Sequence, residues 1–163
     1  MDLCIRIPGD LSAEELQQLI RLITLGGQNT PENILPKMSI AALIAFFKEE
    51  GQIISTASVK MPTLENRQSI FERAKSPCDF GDFIYETGFW ATAQQHRGKG
   101  LFSSLLDLLL HSFRNENIFT IVHHPSAIDL LCSKYDFRRS GTPFPSKYNG
   151  TLFYLLLKQK KEI

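Results

Sequence analysis

The sequence predicts one mixed α/β domain over residues 1–163, and three observations carry the prediction. Strand-like and helix-like patterns alternate along the chain with no internal repeat, low-complexity tract or linker. Ser12-Ala13-Glu14-Glu15 fits a capping box ahead of Leu16, Leu19, Ile20 and Ile23 at helical spacing. A polar segment with two glycines, Gln95-His96-Arg97-Gly98-Lys99-Gly100, stands between a strand pattern and a leucine-rich amphipathic stretch.

Residues 3–7 alternate loosely between apolar and polar and read as a strand, ended by Pro8-Gly9-Asp10. The capped helix runs to about Leu25, where Gly26-Gly27 stops it. Residues 28–36 are polar with two prolines and read as a loop. Residues 39–47 and 52–60, separated by Glu49-Glu50-Gly51, read as an antiparallel hairpin. Residues 63–75 fit either a short exposed helix or an ordered loop, and 76–81 a second loop. Residues 83–92 read as a strand with aromatics mostly on one parity, and 94–98 as a polar turn. Leu101, Leu105, Leu108 and Leu109 mark a helix over about 98–113. A short buried strand at 118–122, a helix at 125–134 opened by Pro125, and two closing strands at 137–141 and 151–158 complete the order. A long loop, 141–150, precedes the last strand; its Phe144 and Tyr148 either border a ligand or pack the loop down.

The totals exclude several classes. Apolar residues make up 43% and charged residues 21%, and a chain of 163 residues buries a core without cross-links. The formal net charge of +1 gives no global case for nucleic acid or an anionic membrane. The longest strongly apolar runs, 105–110 and 152–157, fall far short of the ~20 residues that span a bilayer, and no signal-peptide core is read at the N-terminus. Cys4, Cys78 and Cys132 are widely spaced and read as free thiols in a reducing cytoplasm, with no metal site.

The segment 95–100 is the sharpest chemical signal. Two glycines let the backbone turn tightly and approach a ligand closely. The helix behind them offers unpaired N–H groups and a positive dipole end, and Arg97 and Lys99 add charge. The combination suits a diphosphate, and the alternative reading is a surface turn. A dinucleotide fingerprint fits poorly because Ser103 holds the third glycine position, and a Walker A loop fails for lack of G-K-[ST].

Gln-x-x-Gly-x-Gly between a strand and a helix resembles motif A of the GNAT superfamily of N-acetyltransferases, and the stretch from Tyr85 to Leu106 follows that pattern almost continuously. The resemblance implies a mostly antiparallel central sheet flanked by helices, with a splayed strand pair holding acetyl-CoA. It implies that Phe89, Trp90, Ala91 and Thr92 hold the pantetheine arm. Gln95, His96, Arg97, Gly98, Lys99 and Gly100, with Leu101, Phe102 and Ser103, would hold the diphosphate.

An amine acceptor must lose a proton to attack a thioester, so a general base is useful. Glu86 occupies the strand position where many GNAT enzymes carry a glutamate base, and its other reading is a solvated or paired strand residue. The family's tyrosine acid falls at Cys132, its asparagine at Pro125 and its glycine at Asp136, while Leu131, Lys134 and Phe137 fit. Cys132 therefore reads as a candidate acid or as a small buried apolar residue. Tyr135 substitutes only if the helix extends that far. At most one of His123 and His124 faces a site, and His96 is expected to face solvent. Phe46, Phe47, Phe83, Phe89 and Trp90 read as core and cleft wall.

The resemblance implies transfer of an acetyl group directly to an amine, on a small molecule or a peptide. The alternative is a non-catalytic acyl-CoA-binding module of the same fold. A ping-pong route through Cys132 lacks an adjacent activating group. Acetylation of aminoacyl-tRNA gains no support from the near-zero net charge. The sequence leaves the acceptor unread and a homodimer open.

Overall fold

The Ser12 hydroxyl accepts the Glu15 backbone N–H at 3.0 Å, and the Glu15 carboxylate returns to the Ser12 N–H at 3.1 Å, so the capping box forms as the sequence reads. It starts helix α1 (Ala13–Leu25) after strand β1 (Asp2–Arg6). The computed structural model describes residues 1–26 and 29–162. Gly26 caps α1 at its C-terminus, and Gly27 and Gln28 lie outside the described residues.

Helix α2 (Pro31–Met38) corrects the loop read at 28–36. Pro31 opens it, where a missing N–H costs nothing, and Pro36 removes one donor near its end. Ile34 and Met38 lie one turn apart, and both are buried, which tertiary packing repays more than proline penalises. The hairpin is β2 (Ala41–Glu49) and β3 (Gln52–Lys60), turning through Glu50 and Gly51 at positive φ. Helix α3 (Leu64–Arg73) settles the choice left open for 63–75, its N-terminus capped by Thr63, whose side chain accepts the Asn66 N–H at 3.2 Å. Strand β4 (Tyr85–Thr92) begins two residues later than read, because a 3-10 turn, Phe80–Asp82, occupies the approach.

Helix α4 (Leu101–Ser112) begins three residues later than read, because Gly98 and Gly100 hold positive φ, whereas strand β5 (Ile118–Val122) and helix α5 (Pro125–Lys134) match their sequence patterns. The strand read at 137–141 shrinks to β6 (Arg138–Arg139), and the loop at 141–150 carries an unforeseen pair, β7 (Phe144–Pro145), before β8 (Leu152–Lys158).

Contacts group the chain into two compact units. The first holds Met1–Met61 and Thr87–Ser112. In it β1 pairs β2 and β2 pairs β3, both antiparallel. The Ile54 carbonyl accepts the Ala93 N–H, and Ser58 and Thr87–Gly88 exchange side-chain bonds, so β4 also runs antiparallel to β3. Leu19, Ile34, Ile44 and Phe46, all fully buried or nearly so, form its core with Phe89. The second unit holds Pro62–Glu86 and Phe113–Ile163. There the first two residues of β4 pair parallel with β5, as Tyr85↔Ile118 and Glu86↔Phe119. β5 pairs antiparallel with β8, which also carries β6 and β7. Phe71, Phe83, Phe119 and Phe144 fill its core. The sheet pairings are mostly antiparallel and helices flank them, as expected. No helix among the described residues is long and apolar enough to cross a membrane.

Candidate functional site

Strand β4 is not regular. Phe89 has φ +54°, a left-handed conformation that a bulky residue rarely adopts inside a strand. The preceding Gly88 has no Cβ to crowd the bend. Phe89 is buried at 7% exposure, and the Lys60 ammonium sits 4.2 Å over its ring. A desolvated cation–π contact and the burial of a phenyl ring together outweigh the roughly 1–2 kcal/mol of left-handed strain. Phe89 opens the stretch 89–92 to which the family resemblance gives a ligand's arm. No local sequence signal marks its left-handed backbone, because what holds Phe89 lies on β3 and in the core.

The end of β4 is pinned from β3. The Ser55 and Thr92 hydroxyls lie 2.8 Å apart, and the Ala93 N–H donates to the Ile54 carbonyl at 2.8 Å. Trp90 reaches both ways: its indole N–H donates to the Thr87 hydroxyl at 3.2 Å, and its ring lies 5.3 Å from that of Phe102 in the first turn of α4. The polar turn read at 94–98 is a 3-10 turn, Gln94–His96. The Arg97 guanidinium folds back onto the Thr92 carbonyl at 3.1 Å.

Gly98 and Gly100 both have φ +77°, and a Cβ added to either would meet nothing within 4 Å. The backbone conformation favours glycine while the space beside it stays open. Helix α4 starts at Leu101, so its first N–H groups, which no helical carbonyl can satisfy, border that space. Backbone donors and a helix dipole in this arrangement can cradle an anion. Arg97 and Lys99 are exposed beside it. The residues present therefore fit a diphosphate.

His96 does not face solvent as expected. Its exposure is 9%; Nε2 lies 3.3 Å from Glu49 Oε2, and Nδ1 lies 3.4 Å from Lys99 Nζ. The polar loop context hides this, because the partner Glu49 stands 47 positions earlier, the difference between 96 and 49.

In the second unit Glu86 is buried at 8% exposure in the short ladder with β5, opposite Phe119. Tyr85, its neighbour of opposite parity, packs its ring 5.0 Å from Phe113. Cys132 is half-buried on α5, its thiol free. Helix α5 ends at Lys134, and Tyr135 is its cap residue, 8% exposed, with Lys134 Nζ 5.1 Å over its ring. The extension that would bring Tyr135 into the helix does not occur. Asp136, at the family's glycine position, takes φ +60°, and the Phe137 N–H closes back on the Leu131 carbonyl at 3.2 Å. A left-handed C-terminal closure explains why glycine is usual there, and aspartate is among the few substitutes that tolerate it.

His123 lies edge-on to Phe153 with ring centroids 5.4 Å apart. Burial, with a smaller contribution from the charge of His124, holds its imidazole below the usual histidine range. With Pro125, Ile128, Asp129, Arg139 and Tyr154 it lines an open pocket of about 450 Å³. Phe144 is buried at 3% exposure and packs the 141–150 loop down, whereas Tyr148 stands out in solvent.

No protein-family model matches the chain, and no curated protein matches it. Solved structures do. An acyl-CoA N-acyltransferase from Pseudomonas aeruginosa superposes with a TM-score of 0.67 at 14% identity, over 96% of this chain and 98% of the other. A GNAT-family acetyltransferase from Streptococcus agalactiae gives 0.67 at 18% identity, over 98% and 96%. A ribosomal-protein-alanine N-acetyltransferase from Brucella melitensis gives 0.65 at 16% identity, over 96% and 99%. Likeness along nearly the whole length of both chains, at identities this low, is a likeness of fold: the chain has the fold of the GNAT superfamily of N-acetyltransferases.

Proposed function

We propose that the protein binds acetyl-CoA through Gln95–Gly100 and the start of α4 and transfers the acetyl group directly to an amine. The observation that carries the reading is the backbone cradle: Gly98 and Gly100 at φ +77° with open space beside them, immediately before α4. The stretch from Phe89, with its left-handed backbone, to Thr92 would hold the pantetheine arm by its backbone, and Arg97 and Lys99 would add charge at the phosphates. Bound acetyl-CoA supplies an acetyl group activated as a thioester. The amine nitrogen attacks the carbonyl carbon, the C–N bond forms, the C–S bond breaks, and one proton leaves the nitrogen while the thiolate departs. Glu86, a carboxylate on the same strand as the arm-holding stretch, is assigned as the base for that proton. Cys132 and Tyr135 remain the side chains considered for protonating the thiolate, with Cys132 the more accessible. The acceptor is a small-molecule or peptide amine.

The test is calorimetric titration with acetyl-CoA, followed by thiol release across an amine panel. Micromolar binding and amine-dependent release are expected, with Glu86→Gln lowering the rate about 10²-fold or more. Binding without release on any amine would instead identify an acyl-CoA-binding module, and unchanged transfer by Glu86→Gln would remove Glu86 as the base.

A further inference from the structure

We propose that His96 is a positioning residue that holds the Lys99 ammonium ready for the diphosphate, with the Glu49 carboxylate beside its other ring nitrogen; the proposal rests on the acetyl-CoA reading above. His96 is 9% exposed while its neighbours Gln95 and Arg97 are exposed, so the loop turns one residue of three inward. Both ring nitrogens have partners. An ammonium only donates, so Nδ1, 3.4 Å from Lys99 Nζ, accepts. The proton then stands on Nε2, the nitrogen that lies 3.3 Å from Glu49 Oε2. Glu49 is the last residue of β2, beside the Glu50–Gly51 turn whose Gly51 carbonyl accepts from the Gln18 amide at 3.1 Å. The imidazole thus links a rigid strand end to the lysine that lies between the two cradle glycines. A lysine held this way has already given up side-chain freedom that a solvated one loses on meeting an anion. Both contacts are long, so an arriving phosphate can take the ammonium over from the ring.

Coenzyme A carries the diphosphate and pantetheine does not, so the two are the probes. With the full chain, calorimetry should show coenzyme A binding weakened about tenfold by His96→Ala, the scale of one charge-assisted contact, with pantetheine binding little changed. His96→Gln should recover part of the loss, because its amide offers one acceptor to Lys99 and one donor to Glu49. Glu49→Gln, on a partly exposed side chain, should shift coenzyme A affinity in the same direction by less. In wild-type protein, nitrogen-15 NMR should find His96 protonated at Nε2. Coenzyme A affinity unchanged in His96→Ala, an equal loss for both probes, or an Nδ1-protonated ring would each overturn the proposal while the acetyl-CoA reading stands. Wild-type protein that binds neither probe would overturn that reading, and the proposal with it.

Discussion

Alanine at Gly98 and alanine at Gly141 impose the same backbone change in two different surroundings. Gly98 has φ +77° and Gly141 φ +70°, so each substitution carries roughly 1–2 kcal/mol of left-handed strain, offset by a few tenths through the stiffer unfolded chain. At Gly98 nothing lies within 4 Å of the new Cβ, and the cost stops at about 1 kcal/mol. At Gly141 the Cβ would stand 1.9 Å from the Ala74 carbonyl oxygen and 2.9–3.0 Å from two further backbone atoms. None of these can rotate away. Relief requires the 140–142 segment to move by about 1 Å or more, which strains the Thr142 N–H bond to that same carbonyl at 2.7 Å and the Ser76–Ser140 hydroxyl pair at 2.7 Å. Overpacking, a lost part-buried hydrogen bond and the strain add to about 3–5 kcal/mol, a large part of a domain's whole stability. Urea unfolding of the two variants beside wild type reads the difference. Near-equal losses would refute the close approach at Gly141, and a loss of 3 kcal/mol or more for Gly98→Ala would refute the open cradle. Coenzyme A titration of Gly98→Ala then reports whether the loop keeps its shape.

Other consequences are equally direct. Burial alone would raise the Glu15 pKa, but the Lys48 ammonium at 3.0 Å, the Ser12 amide and the Arg6 charge hold it below the usual value of 4.5. The unfolded chain therefore takes up the proton first as pH falls, and stability is lost below about pH 4.5; Glu15→Gln should cost about 1–2 kcal/mol at pH 7 and flatten that acid limb in denaturant titrations. His123 is depressed below its usual 6.5 by burial and by His124, so between 6.5 and its folded value the unfolded chain binds the extra proton. Stability should fall as pH drops through that window, and His123→Phe, which keeps the edge-on contact with Phe153, should remove the slope in melts across pH 5–7. Asp136→Ala should lose about 1 kcal/mol at the left-handed end of α5, whereas Asp136→Gly should lose little, as measured by equilibrium unfolding.

Features set by near neighbours were legible in the sequence. The Ser12–Glu15 box, the hairpin about Glu50-Gly51 and the glycine loop ahead of α4 each depend on residues within a turn or two, so local chemistry specifies them. Helix α2 was not legible, since two prolines argue for a loop until Ile34 and Met38 find a core to enter. Strand β7 was hidden for the same reason: Phe144 pairs with Phe153 only after β8 is in place. In the candidate site the loop could be read and its interior could not. The left-handed Phe89 depends on Lys60 and the core beneath it, and the inward His96 depends on Glu49. Those partners lie tens of positions away in sequence, and only tertiary structure sets such distances, because backbone strain and a buried imidazole persist only where distant groups compensate them.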